Sequence, residues 1–222
     1  MSSESRAALK ARRQRGPIDA RVLFGGLAGV IVAAFALAIL LTSSDPKEAG
    51  TGLVVETADV SLSGDPLPAY SAEGSDRALG QELPSIKGQD FTGRRVSITD
   101  DGRPKVVVFL AHWCPHCQAE VPVLQQWFDS GATHGDLDVY SIVTATDPAK
   151  PNYPPSDWLG AEGWTARVLL DDESSSAATF AGVTSYPFFV FVDAEGRVQQ
   201  RAAGELPVAA IEAGIAKITE PN

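Results

Sequence analysis

The 222 residues contain two cysteines, Cys114 and Cys117, in the run Ala111-His112-Trp113-Cys114-Pro115-His116-Cys117-Gln118-Ala119-Glu120. Cysteines separated by two residues can close a small disulfide ring reversibly. If a helix opens at this point, its N-terminus offers partial positive charge and unpaired N–H groups, which favour a thiolate at Cys114. Such a thiolate exchanges with an external disulfide, and Cys117 resolves the mixed disulfide. His116 stands beside the helix start, where its imidazole would donate to the thiolate or, when protonated, attract it and so stabilise the reduced form. A zinc site needs four ligands, and only His112 and His116 are at hand without a second cysteine pair, so no metal is expected. A purely structural bridge gains little here, because so short a ring restricts the unfolded chain only slightly. A thiol peroxidase would need its reactive cysteine in a threonine-rich loop, which this chain lacks.

The flanking segments are suited to positioning this pair. Residues 105–111 (KVVVFLA) form a continuous β-branched and aromatic run, suited to a strand buried on both faces. After it, Val121, Leu124 and Phe128 recur at helical spacing from Cys117 onward. Further strands are predicted at 95–99, 138–144, 167–170, 188–192 (FFVFV) and 197–202, with helices near 156–162, 174–180 and 206–219. The turn at Ala194-Glu195-Gly196 makes the last two strands an antiparallel hairpin. Strands alternating with helices predict an α/β sandwich with a mixed sheet.

Charge is distributed unevenly along the chain. Six basic residues in 1–21 stand against Glu4 and Asp19, a net +4. Residues 22–41 (VLFGGLAGVIVAAFALAILL) carry no charge, and from Thr42 onward 12 basic and 26 acidic residues leave a net −14. Twenty uncharged apolar residues match the length of helix that crosses a bilayer, and the basic flank marks the cytoplasmic end. The expectation is a cytoplasmic tail (1–21), a transmembrane helix contacting lipid (22–41), a flexible extracytoplasmic linker (42–79), and a folded domain (80–222). The Ser-, Gly- and Pro-rich composition of the linker leaves room for one short strand at Leu53-Val54-Val55. The acidic balance argues against nucleic acid as a partner, since such binding neutralises phosphates with Lys and Arg.

Taken together, Trp113-Cys114-Pro115-His116-Cys117 between strand and helix, Pro122 within the helix, and Tyr186-Pro187 before FFVFV resemble the thioredoxin superfamily. The stretch from Leu83-Pro84 through Gln89-Asp90-Phe91 and Val96-Ser97-Ile98 is similar to membrane-anchored TlpA/ResA-type members. This resemblance covers about residues 80–220 and implies a three-layer α/β/α sandwich with a central mixed sheet, preceded here by one transmembrane helix. It implies a catalytic set of Cys114, Cys117, His116 and Glu120, with Trp113, Pro115, Tyr186 and Pro187 contacting substrate. Glu120 matches an acid that would lie under the disulfide and move protons at Cys117; on its residues alone it also fits a solvent-facing acid in the first turn. Thioredoxin's buried aspartate is replaced by Val108, which excludes proton handling by that residue. His112 reads as a surface residue, and Trp158 and Trp164 as core or rim.

The Pro-His dipeptide resembles DsbA-type oxidases, whereas the short interval between residues 145 and 165 leaves no room for their helical insertion. The expected activity is thiol-disulfide exchange with protein clients outside the cytoplasm, in the oxidising direction by the argument from His116. The alternative is a TlpA/ResA-like reductase of specific thiols such as those of apocytochrome c. A tethered binding module with a structural disulfide is the non-enzymatic alternative. No cofactor is implied, because the Cys114-Cys117 disulfide carries the electrons, and a membrane or extracytoplasmic redox partner must renew it.

Overall fold

The computed structural model describes residues 54–131 and 137–220. Strand β4 (Lys105–Leu110) is buried along its whole length and lies at the centre of a five-stranded sheet. It pairs in parallel with β5 (Asp138–Val143), which pairs in parallel with β6 (Arg167–Leu170). On its other side β4 runs antiparallel to β7 (Phe188–Val192), which forms the expected hairpin with β8 (Val198–Ala203). The order β6-β5-β4-β7-β8 makes the sheet mixed, as predicted.

Because side chains alternate along a strand, this sheet buries two separate faces. Val106, Val108 and Leu110 point to the side covered by helices α1 (Pro115–Asp129), α2 (Pro155–Ala161) and α4 (Val208–Thr219). Val107 and Phe109 point to the opposite side, where Ala177 and Ala178 of α3 (Ser176–Phe180) pack. That second layer is only partly helical. It also contains Ile86 and Ile98 from a three-stranded antiparallel sheet, β1 (Ser61–Ser63), β2 (Ser85–Gln89) and β3 (Arg95–Ile98).

The small sheet corrects the expected linker. Residues 54–79 belong to the same compact unit as the rest of the described chain. Their strand is Ser61–Ser63, paired with β2, rather than a segment at Leu53-Val55, where Val54 is 61% exposed and Leu53 lies outside the described residues. Leu67 and Ala78 are buried, and the Leu67 and Tyr70 amides donate to the Phe180 and Gly182 carbonyls at 2.9 Å. Arg201 of β8 fastens this segment. Its guanidinium binds both Asp76 oxygens, at 2.8 and 2.5 Å, and donates to the Pro68 and Ala181 carbonyls at 3.0 Å. Polar, turn-rich composition suggests a tether; these long-range hydrogen bonds make it part of the fold.

The expected tail, transmembrane helix and first part of the linker, residues 1–53, lie outside the described residues. Among the described residues no helix is long and apolar enough to cross a membrane.

Candidate active site

Strand β4 delivers the chain to Ala111, and α1 begins at Pro115 with Cys114 as its N-cap. Proline suits the first helical turn, since its fixed φ is helical and it has no amide hydrogen to leave unpaired. Farther along, Pro122 lies inside the helix, at the position expected for it. The two cysteines therefore stand on the first turn, at the C-terminal edge of the central strand.

Both are free thiols and both are buried. The Cys114 thiol donates to the Tyr186 carbonyl at 3.4 Å, across the cis Tyr186-Pro187 peptide loop. Cys117 is fully enclosed, and its sulfur accepts the Ala111 amide at 3.5 Å. Burial pushes the Cys117 thiol far above the ordinary thiol range, against a smaller opposing pull from the Ala111 amide; the neighbouring Cys114 and Glu120 charges push it further up. Of the two, Cys114 is the less enclosed and Cys117 the interior partner.

Glu120, three residues beyond Cys117 on α1, is 2% exposed, so it is not a solvent-facing acid. Its Oε2 accepts the Leu206 amide at 3.1 Å, while Oε1 is buried without a hydrogen-bond partner. Burial pushes this carboxyl up to about 7, opposed by the Leu206 amide and assisted by the charge on Glu205. A carboxyl with that value can both take and return a proton near neutrality.

His116 bonds a carboxylate rather than the sulfur. Its Nδ1 lies 2.7 Å from Glu205 Oε1, and its side chain is 68% exposed. Pro115 is also exposed. Trp113 is partly buried, with Nε1 donating to the Ala145 carbonyl at 2.7 Å and its ring edge-on to Tyr186 at 6.3 Å. Trp113 and Tyr186 thus meet beside Cys114, with Pro187 next in the chain.

His112 is the main departure from expectation. It is fully buried rather than at the surface. Its Nδ1 is 2.7 Å from the Pro151 carbonyl and its Nε2 is 3.2 Å from the Asp147 amide. A carbonyl only accepts and an amide N–H only donates, so the imidazole is neutral with its proton on Nδ1. No local signal distinguishes such a histidine from an exposed one, because its partners lie 35 to 39 residues away. Glu205 carries no local signal either, since it lies 89 residues from His116. Among the described residues no group of three or more His, Cys, Asp and Glu side chains is placed to hold a metal ion.

Residues 78–215 match the Redoxin family, and the chain belongs to it. A thiol:disulfide interchange protein DsbE homolog of Paracoccus denitrificans (strain Pd 1222) is 32% identical over 132 residues, 58% of this chain and 68% of that protein. The thiol-disulfide oxidoreductase ResA of Bacillus thuringiensis (strain Al Hakam) is 23% identical over 151 residues, 68% of this chain and 84% of ResA. Among solved structures, the hypothetical protein SMc02350 from Sinorhizobium meliloti 1021 superposes with a TM-score of 0.56 at 19% identity, covering 65% of this chain and 85% of that one. The Chlorobium tepidum DsbE structure gives 0.51 at 21% identity, covering 63% and 97%. These likenesses establish the thioredoxin-like fold. With the cysteine pair and the family match, they make this chain a thiol-disulfide oxidoreductase of the TlpA/ResA type.

Proposed function

We propose that the protein is held to the membrane by residues 22–41, with its catalytic domain outside the cytoplasm, and that it reduces disulfides in protein clients. The observation that carries the direction is the setting of the two sulfurs. A couple becomes oxidising when the fold stabilises a thiolate. Here the Cys114 thiol faces a carbonyl oxygen, Cys117 is enclosed beside Glu120, and His116 is engaged by Glu205. None of these contacts stabilises a thiolate as a histidine on the sulfur would.

In the reaction, the Cys114 thiolate attacks one sulfur of the client disulfide, forming a mixed disulfide and releasing the first client thiolate. Glu120 takes the proton of Cys117, whose thiolate attacks the Cys114 sulfur and expels the second client thiolate. The client gains two electrons, its thiolates take up protons, and the domain is left with a Cys114-Cys117 disulfide. An extracytoplasmic dithiol partner then returns the pair to the reduced form. The cysteines carry both electrons, so the cycle uses no metal or organic cofactor. Trp113, Pro115, Tyr186 and Pro187 border the attacked sulfur and guide the client chain.

The oxidising alternative is favoured by the Pro115-His116 dipeptide and the helix N-terminus at Cys114. Equilibration with glutathione separates the two. The reductase reading expects a potential nearer the roughly −270 mV of thioredoxin than the roughly −120 mV of DsbA. A value near the latter would reverse the direction. Cys117→Ser should accumulate mixed disulfides with clients, and Cys114→Ser should not. A membrane-impermeant thiol reagent should label reduced Cys114 in intact cells; labelling only after lysis would overturn the topology.

A further inference from the structure

The loop 145–154, between β5 and α2, is fastened to the two residues that precede Cys114. Trp113 Nε1 donates to the Ala145 carbonyl at 2.7 Å. The buried His112 ring bridges the Pro151 carbonyl and the Asp147 amide, and the His112 carbonyl accepts from Asn152 Nδ2 at 3.4 Å and Gln118 Nε2 at 3.0 Å. Just beyond the loop, the Ser156 amide donates to Glu56 Oε2 at 3.0 Å, and the Ser156 hydroxyl also bonds this carboxylate.

Backbone strain is concentrated at the same contacts. Among the described residues, three non-glycine residues have positive φ: Ala145 at 50°, Asn152 at 58° and Ser175 at 56°. Ala145 accepts from Trp113, and Asn152 donates to the His112 carbonyl. Ser175 supports Ala145 from behind, its Oγ accepting the Ala145 amide at 3.2 Å. Left-handed backbone at a side-chain-bearing residue is unfavourable and persists only where surrounding contacts over-determine it, which is common at ligand clamps.

These contacts fix Tyr153 in position. Its ring lies edge-on over His112 at 5.9 Å, yet the residue remains 42% exposed, one of four large hydrophobic residues so exposed among the described residues. A buried histidine and two left-handed residues thus hold one partly exposed aromatic ring against His112, two residues before the reactive cysteine. We propose that loop 145–154 is a client-recognition element in which Tyr153 packs against an apolar side chain flanking the client's disulfide. His112 is its positioning residue. The inference rests on the reading that the clients are proteins, and it adds what the enzyme selects in them.

The test uses the full-length protein in detergent micelles and two peptide disulfides that differ only beside one cysteine, one carrying Leu and the other Ser. The wild-type protein should prefer the Leu peptide through a lower KM. Tyr153→Ser should raise KM for that peptide about five- to tenfold, the order expected for losing part of one apolar contact. The preference should disappear, with the loss falling on KM rather than kcat. His112→Asn, which keeps a donor toward Pro151 but loses the acceptor for Asp147, should weaken the preference in the same sense. Because Tyr153 is substantially exposed, its variant tests the idea even if the buried substitution fails to fold. Equal turnover of both peptides by wild-type protein, or an undiminished preference in Tyr153→Ser, would overturn the inference and leave the reductase reading standing. Failure of wild-type protein to reduce either peptide would overturn both.

Discussion

Replacing Glu120 by Gln should change how both stability and exchange depend on pH. In the folded protein burial raises this carboxyl from 4.5 to about 7. At 1.36 kcal/mol per pKa unit, keeping it ionised in the fold costs about 3 kcal/mol relative to the unfolded chain. Between these two values the folded state binds more protons than the unfolded state, so stability falls as pH rises. Glu120 therefore imposes no penalty below pH 4.5, an increasing one up to about 7, and its full value above. Urea unfolding of reduced wild-type protein should weaken by about 3 kcal/mol across that interval, and the Gln variant should lack this component. The resolving step should also slow in the variant, by about 100-fold at pH 8, because the base for the Cys117 proton is gone. Stopped-flow measurement of mixed-disulfide decay would show a wild-type rise centred near pH 7 and none in the variant. Superimposable stability curves, or a bend near 7 that survives the substitution, would refute the argument.

His116→Ala should move the reduction potential by less than about 20 mV, since an exposed polar contact such as that with Glu205 contributes at most about 1 kcal/mol. A fall of about 30–60 mV in glutathione equilibration would instead place the imidazole on the Cys114 sulfur. Arg201→Met should destabilise the domain by about 3–5 kcal/mol, because it leaves the Asp76 carboxylate and two carbonyls without their donor, measurable as a lowered urea midpoint. Gly182→Ala should lower Tm, at a cost of about 1–3 kcal/mol. Its added Cβ would collide with the Pro68 carbonyl at a residue whose φ is +71°.

Much of the catalytic layout is legible in local sequence. Two cysteines in CxxC spacing, a preceding run of six buried strand residues, and a proline opening the helix place the redox pair without reference to any distant residue. The sheet is equally legible, because β-branched runs and hairpin turns act over a few residues. Tertiary structure alone decided the chemical character of the neighbours. Glu120 follows Cys117 by three residues on α1 whether it faces water or the interior; packing against the Leu206 segment, 86 residues away, buries it and raises its carboxyl to about 7. His116 is drawn to Glu205 and His112 is locked against Pro151 and Asp147 by partners that no periodicity reveals. Residues 54–79 are rich in Ser, Gly, Pro, Asp and Glu, so their composition resembles a tether. Their order comes from strand pairing with β2 and from Arg201, 125 residues beyond Asp76. Hydrophobic period and turn chemistry are local properties of a chain, whereas burial, protonation and the partner of a charge depend on which distant segments the fold brings together.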